Sequence, residues 1–590
     1  MRCGWIPDFL GCHSVLGYIG WPDRVLGRIW RGPHEEGKRR RRGSRRSFEE
    51  RDYIGDCVLA RYKKMNNFND KLGILASFCD SVKSCSVALV VLGLGALFSG
   101  CSSNTSATKT AVDEIVVAIE SAPLTLDPRL GTDAYSTKIS QLIFNGLFQW
   151  NDQFQLEPDL VAEYRWVTPV HLKIRLKEGV LFHDGRVLTA EDVVMTYQSV
   201  LDKETASPYR SGFEVVSSIE KTGPHSLEIR LKRPFAPFLS HLTLGILPQG
   251  RYGESPQGTG PFILSRFDAE EHVVLIRNPH YFHNPAVLKK VIFKVIKDDN
   301  LRVLELLHGR IDLVQNGIPP ALIDYIRQKK DIVVQESPGI TFAYLGFNLE
   351  KFPFDKIQVR QAMAHALNIP EIIAYKLNNR ATPADSLLAP LHWAHADHLP
   401  TYPYDPQLAA SLLDQAGFID PDGPGPAARF SVIYETSTKK DRIGVARLIS
   451  RYLKAIGIDV TVTPFEWGTF FRDINKGHFQ MYSLSWVGVT DPDIYHYIFH
   501  SSQIPPLGAN RGHYHNQAMD HLTEMARKTI DPQIRKRAYD QIQRILSVEV
   551  PYIPLWYEHN IVAYQKGIVD YELHPDASFE SLVRVRKVFK

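Results

Sequence analysis

Twelve consecutive apolar residues at positions 87–98, VALVVLGLGALF, run into Ser99-Gly100-Cys101 and divide this 590-residue chain into two parts that obey different rules. As a helix, twelve residues reach about 18 Å, short of the roughly 30 Å hydrocarbon core of a bilayer. With Lys83 ahead of it and small residues behind, the run reads as the core of an export signal rather than a membrane span. The folded body then lies beyond Cys101. All six cysteines (Cys3, Cys12, Cys57, Cys79, Cys85 and Cys101) lie at or before the division, so the body needs no disulfide, which suits an oxidising compartment. Charge divides at the same place. The first hundred residues carry 17 Lys/Arg against 10 Asp/Glu, leaving 52 against 55 from Cys101 onward, a near-neutral body with no field for nucleic acid. The 44% apolar and 23% charged content of the whole chain predicts ordinary globular structure in two or three domains.

The segment LFSGC resembles the bacterial lipobox, with Phe98 standing where Leu, Val or Ile is usual. The resemblance implies that Cys101 is acylated and becomes the first residue of a lipid-anchored, extracytoplasmic protein, each buried methylene contributing about 0.8 kcal/mol to anchoring. Residues 101–111 would be a Ser/Thr-rich tether and residues 65–100 the signal peptide, starting at Met65. Residues 1–64, with KRRRRGSRR at 38–46, are expected to be a mis-assigned start or an unstructured extension. No nucleic-acid module follows the arginine run. Glu49, Glu50, Arg51 and Asp52 stand where the apolar part of a twin-arginine signal would begin.

Beyond the tether, strand and helix patterns alternate, which predicts an α/β fold. EIVVAI (114–119), HLKIRL (171–176), HSLEIRL (225–231), HVVLIR (272–277) and VIFKVI (291–296) have the β-branched content of half-buried strands. Thr189 followed by Asp192 predicts a capping box opening a helix at Ala190. Helical patterns also cover 357–368, 406–416 and 444–456, the last ending at Gly457 before the strand IDVTVTPF. Asp184-Gly185 in FHDGR predicts a turn, and Gly258 and Gly260 a backbone that approaches a ligand or another strand closely.

Eight segments in order resemble the extracytoplasmic solute-binding proteins of the dipeptide, oligopeptide and nickel importers. They are TLDP (125–128), FNGLF (144–148), LKEGVLFHDGRVLTAEDVV (176–194), GTGPF (258–262), YLGFN (344–348), VRQAMAHALN (359–368), the AG of LLDQAGF (412–418) and LSWVGVTDPD (484–493). The resemblance implies a two-lobed, periplasmic-binding-protein-like α/β fold of class II, the large peptide-binder type, with an extra subdomain in lobe one. Lobe one would comprise residues 112–343 and 556–590, lobe two 344–555, with crossings near 343–347 and 551–557. It further implies a monomer without a cofactor that closes over a short peptide or similar solute and delivers it to an ABC permease and its ATPase subunits.

The same resemblance lays residues 484–493 along the cleft, where an extended peptide pairs with backbone around Val487 and Gly488 and Trp486 forms a stacking wall. In the peptide binders an Asp three residues after the Trp holds the ligand's ammonium group. Here that position is Val489, and Asp491 is the replacement candidate. The dipeptide binder's carboxylate-holding arginine aligns with Thr436, which leaves Arg511, beside Asn510 in GANRG, as the best anion partner. Thr259 is a further candidate contact. A metal-chelate reading rests on His392, His395 and His398, with His513 and His515 as additional imidazoles. A peptide-sensing receptor would use the same cleft. No Gly-x-Ser-x-Gly, His-Glu-x-x-His or Walker loop supports an enzyme, and Ser106-Ala-Thr-Lys109 with Lys221-Thr222-Gly223 imitates penicillin-recognising motifs only by chance.

Overall fold

The computed structural model describes residues 113–250, 256–423 and 425–588. The expected export signal and tether, Cys101, the arginine run and Ser106–Lys109 lie outside the described residues.

Strands form where period-two apolar patterns predict them, at Glu114–Ile119, His171–Leu176, Ser226–Leu231, His272–Arg277 and Lys290–Val295. In His171–Leu176 the buried residues are Leu172, Ile174 and Leu176, one face of the pleat. The helix Ala190–Leu201 begins with the expected reciprocal cap, the Asp192 carboxylate accepting from both the backbone N–H and the hydroxyl of Thr189 at 2.9 Å.

One eleven-stranded sheet runs through both lobes. At its centre Ile332–Phe347 and Tyr552–Gln565 pair antiparallel from Ile332↔Gln565 to Gly346↔Tyr552. The ladder is interrupted between Pro338 and Thr341, where Pro338 has no N–H to donate, and it shifts register again between Ala343 and Tyr344. A Cβ on Gly339 would lie 2.6 Å from the Glu558 carbonyl oxygen, so only glycine passes at that separation. The segments expected to carry the crossings, 343–347 and 551–557, overlap the ends of these two strands, and the second register shift lies at Ala343 and Tyr344. Beyond the Pro338–Thr341 interruption toward lobe two, Phe342, Tyr344 and Trp486 face one core cluster while Ala343, Leu345 and Phe347 face another.

Lobe one carries the extra subdomain, a four-stranded antiparallel sheet ordered Val161–Thr168, His171–Leu176, Ser226–Leu231, Val216–Gly223, closed by the helix Ala190–Leu201 over its own core. The turn at Asp184-Gly185 forms, with Gly185 at φ +86. Behind it the His183 ring bridges the glycine loop, its Nε2 3.1 Å from the Gly260 carbonyl and its Nδ1 accepting from the Gly258 N–H at 3.2 Å. The two glycines make room for backbone and not for a ligand: a Cβ on Gly258 would stand 1.9 Å from the Ile143 carbonyl oxygen.

Lobe one reaches lobe two at several points, Asp324 on the Arg380 guanidinium among them, and two others come from its hairpin and from Phe235-Ala236. The turn of the hairpin formed by Phe148–Trp150 and Leu156–Pro158 inserts Phe154, 2% exposed, into the lobe-two aromatic cluster. There it stacks on His392 at 5.6 Å, while the neighbouring Gln153 carbonyl accepts from the Trp393 N–H at 3.0 Å. On the other side the Ala236 N–H donates to the Arg527 carbonyl at 2.7 Å, and the Arg527 guanidinium lies 4.9 Å over the Phe235 ring.

Candidate functional site

The strand Met481–Trp486 pairs with Ile332–Phe347 from Phe342↔Trp486 to Phe347↔Met481. Alternation therefore puts Phe342, Tyr344, Tyr482 and Trp486 on one face. Tyr344 stacks between Tyr552, at 4.1 Å, and Trp486, at 6.4 Å. Two later segments complete this wall. The helix Trp467–Asn475 supplies Phe471 and Asn475, and the loop after Ile494–Phe499 supplies Arg511.

Arg511 is only 7% exposed and lies over two aromatic rings, its guanidinium carbon 5.3 Å from the centroids of both Trp486 and Phe471. Its Nε donates to the Asn475 side-chain oxygen at 2.8 Å. Its electrostatic neighbours are the hydroxyls of Tyr344, Tyr482, Tyr552 and Tyr497, and among the described residues no carboxylate pairs with it. Taking a guanidinium out of water without an anion is costly. Beside it the indole N–H of Trp486 is buried with no acceptor. The expected stacking wall and the expected anion partner thus meet in one place, and both present unused donors.

The other expected contacts are placed differently. Val487 is 55% exposed, Gly488 turns the chain at φ +67, and Val489 is buried. Asp491 accepts from the Asp493 N–H at 2.8 Å, fixing the turn into the helix Ile494–Phe499, and faces the Arg535 guanidinium at 4.0 Å. Asp493 pairs with Arg527 at 3.1 Å, and burial lifts its carboxyl to about 6. Asn510 spends its side chain on its own loop, accepting from the Tyr514 N–H and donating to the Tyr514 and His500 carbonyls, so it shapes the loop that presents Arg511. Thr436 is buried within the strand Phe430–Ser437. Thr259 is fully buried in lobe one, donating to the Asn145 side-chain oxygen at 3.0 Å behind His183, where it serves the fold.

The three candidate metal histidines do not converge. Both ring nitrogens of His392 are engaged, Nε2 with the Thr490 carbonyl at 3.1 Å and Nδ1 with the Ala394 N–H at 3.0 Å, and burial holds its pKa down to about 4. His395 bonds to Asp385 at 3.1 Å, while His398 is exposed. Among the described residues no group of three His, Cys, Asp or Glu side chains has metal-binding geometry.

A cavity of about 440 Å³ lies elsewhere in lobe two, among Phe342, Ser386, Tyr495, Phe499, Gln543 and Tyr552. None of the residues expected from the sequence lines it. It shares only Phe342 and Tyr552 with the aromatic wall. Missed by sequence reasoning were Tyr344, Tyr482, Phe471, Asn475 and Tyr552. Tyr344 carried a signal, an aromatic two residues after Phe342 and so on the same face of its strand.

Comparison with known proteins agrees with this architecture. The chain is 28% identical over 521 residues to the oligopeptide-binding protein AppA of Bacillus subtilis, covering 82% of this chain and 95% of that protein. It is 28% identical over 512 residues to the glutathione-binding protein GsiB of Escherichia coli K12, covering 83% and 97%. The structure of Bacillus subtilis AppA in complex with a nonapeptide matches with a TM-score of 0.64 at 26% identity, over 81% of this chain and 99% of that one. NikZ of Campylobacter jejuni, in complex with Ni(L-His), matches with a TM-score of 0.66 at 25% identity, over 81% and 100%. Residues 155–505 match the profile described as bacterial extracellular solute-binding proteins, family 5 Middle. With the two-lobed fold in place, the chain belongs to the family 5 bacterial extracellular solute-binding proteins, which bind and do not catalyse.

Proposed function

We propose that this protein captures a short peptide or peptide-like solute between its lobes and delivers it to an ABC permease, acting as a monomer anchored outside the cytoplasm through Cys101. The observation that carries the reading is the Arg511 guanidinium, stacked between Trp486 and Phe471 and without a carboxylate partner among the described residues. A carboxylate matches its planar donor fork, and charge-assisted bonds of this kind are the strong ones. Likeness to AppA, which was solved with a nonapeptide, supports a peptide. The non-converging histidines point the same way.

Native mass spectrometry of the protein purified from its own membrane tests the reading. A retained peptide-like mass, absent from Arg511→Ala of unchanged circular dichroism, is expected. A retained solute without peptide or carboxylate character, or equal retention by the variant, would refute it. For the anchor, Cys101→Ser should move the protein from the detergent-extracted to the soluble fraction.

A further inference from the structure

Behind the aromatic wall, lobe two holds a cavity of about 440 Å³ that the cleft does not use. We propose that it is a second binding site, for a compact apolar molecule that carries no negative charge. The proposal stands apart from the peptide reading above.

Three pieces of chain enclose the cavity: the end of the helix Pro532–Glu549, the start of the strand Tyr552–Gln565, and the segment 383–404. Its volume falls in the roughly 300–1,000 Å³ range of small-molecule sites. Pro383, Pro390, Pro400, Pro403, Pro551 and Pro554 stand in the wall. A proline has a locked φ, so such a wall resists collapse, and it has no N–H to offer water.

The polar side chains of the inner wall are committed to the protein. Ser386 donates to the Gln543 side-chain oxygen at 2.7 Å and accepts from the Tyr495 hydroxyl at 2.9 Å. The Gln543 amide group donates to the Ala394 and Tyr539 carbonyls at 2.8 and 2.9 Å. Tyr402 donates to the Ser547 carbonyl at 2.6 Å, and Tyr552 turns its hydroxyl toward that of Tyr482, 3.5 Å away. Water filling this space would number on the order of fifteen molecules, at about 30 Å³ each, and each needs two to four polar partners. The inner wall supplies few. An apolar body that displaces poorly bonded water gains affinity.

Charge sets the second condition. Asp385 is the one carboxylate among the described lining residues, its Oδ1 accepting from His395 at 3.1 Å and from the Tyr557 hydroxyl at 3.4 Å. No Lys, Arg or His is among those residues. An anion there would face a carboxylate with no cation to offset it. The selectivity is thus opposite to that of the cleft, where Arg511 calls for an anion.

Fluorescence titration of the Cys101→Ser protein, which carries no lipid for a dye to enter, tests the proposal with the neutral probe N-phenyl-1-naphthylamine at pH 7. One saturable site is expected. Octanol should displace the dye, and octanoate should do so at least ten-fold less well than octylammonium, which has the same tail and the opposite charge. Ala384→Phe and Ser547→Phe, each at a half-buried lining position, should weaken dye binding at least ten-fold with unchanged circular dichroism, and Arg511→Gln should not. Absence of saturable binding overturns the proposal, as does octanoate competing as well as octylammonium. Loss of dye in Arg511→Gln as great as in the filled variants, or retention in those variants, places the dye elsewhere and also overturns it. Should both filled variants misfold, anomalous diffraction from crystals soaked in bromobenzene decides: bromine beside Phe499 and Leu546 upholds the site, and its absence there overturns it.

Discussion

Replacing Phe154 by alanine should loosen the contact between the lobes without unfolding either one. The ring is 2% exposed, yet its burial partners belong to lobe two, where it stacks on His392 and joins the cluster of Tyr344, Trp486 and Tyr539. It sits at φ +57, a conformation disfavoured for a bulky residue, by which the hairpin aims the ring outward. Burying a phenylalanine contributes about 1.5–3 kcal/mol. When the lobes part, the ring returns to water instead of leaving a void, so little cavity cost adds to that figure. At about 1.4 kcal/mol per factor of ten, the ratio of closed to open molecules should fall roughly 10- to 100-fold. Solute affinity should fall by up to the same factor, because ligand that binds the closed state loses whatever fraction of that state is lost. Stopped-flow dissociation of a bound solute, with small-angle X-ray scattering of the ligand-free and loaded protein, measures both. A dissociation rate within two-fold of wild type, with unchanged scattering, would refute the reasoning.

Three other perturbations test separate parts of the fold. Gly258→Ala should prevent folding of lobe one, since its Cβ would meet the Ile143 carbonyl oxygen at 1.9 Å, and trypsin should then degrade that lobe first. Arg360→Met should cost about 3 kcal/mol in urea denaturation, because the buried guanidinium donates to the Phe354, Glu549 and Val550 carbonyls at the end of the helix Pro532–Glu549 and leaves them orphaned. Glu435 has its pKa raised by burial from 4.5 to about 7, so the folded state holds its proton more tightly than the unfolded state. Stability should therefore fall as pH rises from 4.5 through 7, and Glu435→Gln should flatten that slope and stabilise the protein at pH 8 by roughly 1–2 kcal/mol, read by thermal melting at the two pH values.

Local rules carried the sequence a long way. Alternation placed His171–Leu176 and Lys290–Val295, the Thr189/Asp192 cap placed a helix start, and Gly258 and Gly260 announced a close backbone approach. What approached them was legible only in three dimensions, because Ile143 lies more than a hundred residues away. The same reason hid Asn475 and Phe471 from Arg511, and Arg535 from Asp491: each partner comes from a different element, brought together by the shared sheet. Asp491 read alone is a free carboxylate. Read beside Arg535, it is half of a pair. Phe154 carried no signal at all, since an aromatic in a turn between Asn151 and Gln155 looks like an exposed residue until a second lobe covers it.

The paired strands Ile332–Phe347 and Tyr552–Gln565 also constrain how the molecule can flex. Where the ladder is continuous, one strand cannot slide along the other without breaking a row of hydrogen bonds together, so translation of the lobes is stiff. At Pro338–Thr341 that row is absent, and rotation there breaks none of it. Together with the second register shift between Ala343 and Tyr344, the interruption marks a short torsional joint between two stiffer stretches of ladder, set by the chain itself and independent of the cargo. Amide exchange should map it directly, with Gly339 and Ile340 exchanging quickly between two slowly exchanging flanks.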